Sequence, residues 1–230
     1  PHFRAVRALF KLAEYRCDAE LHGMLAHRFE TTVAMFDNKR GSARVPDRSG
    51  RGRTWMGERP LQAMLASEHP SAAYGAKTRW YLRSRTWRTL KRLGDAGDER
   101  FVPMAVGVLI PFTDDDARQA SYTMSAFGNY WAFNHLMHGG GRRLRPYKHS
   151  FTGNHRTPAT SREEMFPHLW TAQPRALLHL VSESGCTPVH EFAIRILRAD
   201  PSFGRSLPVP ALAMMLERPF EVTVRFAFEL

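Results

Sequence analysis

The last quarter of the chain overlays on itself at a spacing of 34 residues, and no other feature constrains the fold as much. Four short segments, 174–183, 188–198, 208–217 and 219–230, each begin with proline, a residue suited to the first turn of a helix because its missing N–H is not needed there. Shifting the first two by 34 positions lays Pro174 on Pro208, Leu178 on Leu212, Phe192 on Phe226 and Ala193 on Ala227. A two-helix unit that recurs at this length buries its apolar stripe by stacking on its neighbour, which is the pattern of an α-solenoid. Upstream, the run Arg85-Thr86-Trp87-Arg88-Thr89-Leu90 is similar to Arg225-Phe226-Ala227-Phe228-Glu229-Leu230 and points to the same helix role.

Periodicity extends the helical reading to the rest of the chain. Over residues 1–37, Phe3, Val6, Phe10 and Ala13 mark one amphipathic helix, and Leu21, Leu25, Phe29, Val33 and Phe36 mark a second. Almost nothing separates them, so they form an antiparallel hairpin. Residues 77–138 hold central helices, the clearest from Lys77 to Leu93. There Trp80, Leu82, Thr86, Trp87, Leu90 and Leu93 share one arc, with Arg85, Arg88, Lys91 and Arg92 on the other. Gly94 reads as the C-cap of this helix. The stretches 38–76 and 139–173 lack sustained periodicity and read as two long basic loops, the first with one short helix near Leu61 to Leu65. The expected fold is therefore all-α, an irregular solenoid of antiparallel helix pairs closing with repeats over 174–230.

Three stretches carry a family resemblance. The run from Tyr81 through Gly94, the segment Tyr130-Trp131-Ala132-Phe133-Asn134-His135, and Pro188-Val189-His190-Glu191-Phe192-Ala193 resemble bacterial HEAT-repeat proteins that carry a WGR domain. That resemblance implies a HEAT-like fold in a cytoplasmic bacterial protein. It also implies an association with nucleic acid, which in that family belongs to the WGR module. This chain lacks a Trp-Gly-Arg triplet, since Trp55-Met56-Gly57-Glu58-Arg59 is only an echo of it, so the resemblance covers the HEAT part.

Charge supplies the leading functional expectation. The formal charge is +11 and the isoelectric point about 10.3, an imbalance that favours nucleic acid first and anionic lipid second. An Arg-rich surface inherited from a GC-rich genome would give the same figure with no polyanion partner. Between His69 and Gly94 there are seven Lys and Arg residues and no Asp or Glu; between Ala117 and Arg162 there are again seven and none. Arg85, Arg88, Lys91, Arg92, Arg142, Arg143, Arg145 and Lys148 are the residues expected to track phosphates, with Tyr147 and Phe151 interleaved for stacking on unpaired bases. Arg79 and Arg83 fall near the apolar arc, so Arg83 is expected either to snorkel or to pair with a carboxylate of the neighbouring hairpin, and Arg225 to do likewise in the last helix.

No catalytic signature emerges. His135 and His138, with His149 and His155 after them, have too few Glu or Cys neighbours for a zinc site. Gly139-Gly140-Gly141 lacks the flanking motifs of a phosphate-binding or oxyanion loop. Pro188 interrupts the spacing from Cys186 to His190, and Asp114-Asp115-Asp116 reads as a helix start. Two cysteines make no disulfide framework, and no cofactor, metal or membrane span is expected. The abrupt apolar end at Phe228-Glu229-Leu230 suggests a piece of a longer protein. The expected function is a non-catalytic scaffold or recognition module that contacts DNA or RNA. The alternative is an adaptor binding an acidic protein partner or other domains of its parent. A HEAT-like DNA glycosylase ranks last and would draw on Glu183, Glu191 or Asp114 beside Trp80, Trp87 or Trp131.

Overall fold

The computed structural model describes residues 2–31, 43–46, 53–56, 76–118, 130–148, 150–153 and 161–230. These are mostly helical. The first two helices, α1 (His2–Arg16) and α2 (Ala19–Thr31), form the expected hairpin. Cys17 turns the chain in the left-handed region, at φ 53°, and the Asp18 carboxylate accepts the Leu21 amide at 3.0 Å to cap α2.

The long helix α3 (Ala76–Asp95) packs on this hairpin, and α4 (Phe101–Leu109) crosses both. Gly94 does not end α3 as the sequence suggested. The helix passes through it, and Gly97, at φ 65°, makes the left-handed exit. Gly94 serves packing instead, because a Cβ there would stand 2.2 Å from the Phe166 ring. α4 carries no polar side chain and is the axis of the core, with Phe101, Val102, Met104, Ala105, Val108 and Leu109 all fully buried. Such a helix is stable only when surrounded, and α2, α3, the short α6 (Trp131–His138), α7 (Pro167–Ala172) and α8 (Pro174–Glu183) all pack against it.

Glu30 locks three of these elements together. Its carboxylate, 1% exposed, accepts Arg83 Nε at 2.5 Å with one oxygen. The other oxygen accepts the Trp131 and Ala132 amides at 2.9 and 3.0 Å. A carboxylate at the first amides of α6 satisfies donors that have no partner within the helix, so α2 caps α6 while neutralising α3. The Glu30 carbonyl also accepts from the Arg79 guanidinium. The expected pairing of Arg83 with the hairpin is thus present. Arg225 differs, making an exposed i,i+4 pair with Glu221.

Both basic stretches contain short antiparallel hairpins where their lack of periodicity leads one to expect loop. In the first, β1 (Ala43–Pro46) pairs with β2 (Arg53–Met56), Ala43 opposite Met56; the expected helix near Leu61 to Leu65 lies outside the described residues. In the second, β3 (Leu144–Tyr147) pairs with β4 (Ser150–Gly153), Tyr147 opposite Ser150 across a two-residue turn. Lys148, at φ 50°, supplies the positive φ such turns need.

The C-terminal helices are α8, α9 (Thr187–Arg198), a short α10 (Pro201–Arg205), α11 (Val209–Leu216) and α12 (Glu221–Glu229). α8 pairs with α9 and α11 with α12, while α12 lies against α9 and α11 against α8. The residues that open α9 and α12, Cys186 and Phe220, are 34 positions apart and share one backbone conformation, φ −123° and ψ 113° against φ −116° and ψ 112°. Asp114, at the start of α5 (Asp114–Arg118), accepts the Thr187 amide at 2.7 Å and its hydroxyl at 2.6 Å. The upstream half therefore caps α9 much as Glu30 caps α6. No helix of the described residues is long and apolar enough to cross a membrane.

Candidate nucleic-acid interface

α3 separates its two arcs cleanly. Leu82, Thr86, Trp87, Thr89, Leu90 and Leu93 are buried, whereas Lys77, Tyr81, Arg88, Lys91 and Arg92 are exposed on the outer side. At 1.5 Å per residue this outer ridge runs for roughly 22 Å. Trp80 and Trp87 turn inward, Trp80 to Trp131 at 4.9 Å and Trp87 flat against His135 at 4.2 Å.

Tyr81, 40% exposed, lies on the ridge toward the start of α3. Arg85 Nη1 donates to its hydroxyl at 2.9 Å, and the Arg88 guanidinium lies 5.8 Å from its ring centroid, within cation–π range. The hydrogen bond from Arg85 holds the Tyr81 phenol below its ordinary pKa, assisted by the positive charges of Arg85, Lys11 and Arg88. Lys11, exposed on α1, adds its charge to the same phenol. Nothing in the sequence near Lys11 ties it to α3; the contacts of Glu14 with Arg85 and Thr89 bring α1 beside that helix.

Arg85 has another duty. Its Nε meets the Glu14 carboxylate at 2.5 Å, and Thr89 donates to the same carboxylate at 2.8 Å. Glu14 is buried, and a buried carboxylate demands a cation. Burial by itself would lower the Arg85 pKa, but the bonds to Glu14 and Tyr81 outweigh it and raise it above the usual value. Among the four α3 residues singled out, Arg88, Lys91 and Arg92 are therefore the outward ones. Lys91 pairs with Asp95 at 2.5 Å, both half exposed, a contact that water screens.

The second group divides the same way. Arg143 is turned inward, donating from Nε at 3.1 Å and from Nη2 at 3.0 Å to Glu163, with His138 Nδ1 3.2 Å from the same carboxylate. Arg142, Arg145 and Lys148 are exposed. Arg145, Tyr147 and Lys148 form the outer end of the β3–β4 hairpin, where Tyr147 is 55% exposed and the Lys148 ammonium sits 5.2 Å from its ring. Phe151, expected beside Tyr147 as a stacking surface, is fully buried against Trp131 and His135. It anchors the hairpin instead.

The remaining chemical candidates are engaged in structure. Burial lowers the His135 pKa to about 4. Burial and the Arg143 charge lower that of His138 to about 4 against the pull of Glu163. Cys186 is buried and its thiol pKa pushed up by desolvation, while His190 bonds Thr223 at 2.7 Å and the Ser184 carbonyl at 3.0 Å. His149 and His155 lie outside the described residues, and among the described residues no three His, Cys, Asp or Glu groups converge as a metal site. Trp80, Trp87 and Trp131 belong to one packed aromatic layer, and Asp114 is spent on α9. Comparisons of the chain with protein families, with curated proteins and with solved structures find no match in any of the three.

Proposed function

We propose that the chain is a non-catalytic, HEAT-like scaffold module of a larger bacterial protein that contacts nucleic acid through its α1–α3 face. The observation that carries this reading is the exposed row of Arg88, Lys91 and Arg92 along α3, continued by Tyr81 with Arg88 over its ring and by the exposed Lys11 of α1. The carboxylates near this face are the buried Glu14, neutralised by Arg85, and the solvent-screened Asp95. The β3–β4 hairpin adds a second basic point with its own exposed tyrosine. Stacked helix pairs offer an extended surface suited to such contacts, and the matched openings of α9 and α12 support that architecture.

The test is affinity for duplex, nicked and single-stranded DNA across a salt series. Four phosphate contacts give a slope of log K against log salt of about −3.6 on duplex DNA, and loss of three leaves about −0.9. The variant that tests this is Arg88→Glu with Lys91→Glu and Arg92→Glu. Arg85 is left intact because Glu14 depends on it. Binding indifferent to those three changes would sink the proposal.

A second reading, a protein adaptor, draws on α1. Leu9, Leu12 and Tyr15 of that helix are 47%, 42% and 86% exposed. A pull-down that retains a protein partner in wild type and loses it with Leu9→Ser and Leu12→Ser would favour this reading.

A further inference from the structure

The outward stripe of α4 opens into a groove that neither reading uses. Pro103, Val106, Gly107, Ile110 and Pro111 form its floor. Ala19, Glu20 and Met24 of α2 make one wall, and Ala176, His179 and Glu183 of α8 the other. Its volume is about 760 Å³, within the span of cavities that hold ligands.

Three observations define what would fit. α4 has no polar side chain to offer water along this floor, so the stripe gains by being covered. Its spacing of i, i+3, i+4 and i+7 over about 10 Å presents two helical turns, the length over which a groove reads the anchors of a docked helix. Met24, 56% exposed at the lip, is the kind of flexible apolar side chain that adapts to such an anchor. The charge is the decisive feature. In a chain of net +11, no Lys or Arg lines the groove, whereas Glu20 and Glu183 stand one on each wall.

We propose that this groove binds an amphipathic helix of a partner protein, aliphatic along one face and flanked by Lys or Arg on both sides. The aliphatic anchors cover Pro103 and Ile110, and the flanking cations meet Glu20 and Glu183. The net charge disfavours a basic peptide over the surface as a whole, so attachment here depends on the local attraction of these two carboxylates. The proposal rests on the groove alone and stands apart from nucleic-acid binding.

The probe is a fluorescein-labelled 14-residue Leu/Lys amphipathic peptide, compared with a Leu/Glu peptide of the same pattern, read by anisotropy at physiological salt. The expected result is micromolar binding of the Leu/Lys peptide and none of the other. Affinity should fall at least tenfold in Glu20→Lys with Glu183→Lys, and also in Met24→Lys. All three positions are exposed, and circular dichroism checks that each variant is folded. Undiminished binding by the variants, or equal binding of the Leu/Glu peptide, overturns the proposal. Concentration-dependent dimers in sedimentation that the same variants dissolve would assign the groove to a second copy, and would overturn it too.

Discussion

Gly23 and Gly107 face one another where α2 crosses α4, so closely that a Cβ on Gly23 would stand 1.8 Å from the Gly107 carbonyl oxygen. The reverse holds one turn away, where a Cβ on Gly107 would lie 2.1 Å from the Ala19 carbonyl oxygen. The obstructing atoms are backbone in both directions, so no rotamer change relieves them.

Gly23→Ala should therefore cost about 3 kcal/mol, the upper part of the overpacking range. Gly97→Ala is the contrast. It meets open space and pays only for its left-handed backbone, about 1 kcal/mol. Urea unfolding of the two variants beside wild type measures both.

Glu30 and Arg83 should show strong coupling. Either Glu30→Leu or Arg83→Met strands a charge in the interior and should cost about 3–5 kcal/mol. The double variant should cost clearly less than the sum, because it leaves neither charge behind. The α6 amides that lose their cap set a floor to the recovery, and a double-mutant cycle by urea unfolding gives the coupling directly.

Arg85 and Arg88, three residues apart on one helix, should separate stability from binding. Arg85→Gln deprives the buried Glu14 of its cation and should lower the unfolding midpoint. Arg88→Gln, whose contacts among the described residues are with its own helix and the Tyr81 ring, should leave the midpoint within about 0.5 kcal/mol and weaken DNA binding. Equal effects of the two on both readouts would contradict the assignment.

Stability should fall on mild acidification. His22 is fully buried, stacked 4.8 Å from Phe10, and desolvation lowers its pKa to about 4; burial does the same for His135. A histidine depressed in the folded state binds its proton more readily when unfolded. The stability it contributes is thus complete above about pH 6.5 and drains away as pH falls toward 4, by up to about 3 kcal/mol per residue. Urea midpoints at pH 7 and 5 should differ in wild type, and His22→Phe should narrow the difference.

The helices were legible because their apolar spacing is regular, and Pro174 and Pro188 announced α8 and α9 within a residue of their observed starts. The β3–β4 hairpin was not. Four-residue strands, one containing Pro146, are too short for alternation to register. α10 was missed although its signal is plain, since Asp200 before Pro201 accepts the Ser202 and Phe203 amides. The basic arc of α3 is legible as an arc, but which of its members stay outward depends on partners distant in sequence. Nothing local to Arg85 or Arg143 shows that Glu14 and Glu163 will claim them.

The stacking of α12 on α9 and of α11 on α8 has a dynamic counterpart. His190 bonding Thr223, and Arg218 bonding the Ser184 carbonyl at 2.5 Å, are side-chain ties between the last pair and the one before it. Opening that boundary exposes one face of α8 and α9 but leaves α4 covered. Amide exchange should therefore release α11 and α12 together through a sub-global fluctuation, at a free energy below that of whole-chain unfolding, while the amides of α4 wait for the complete event.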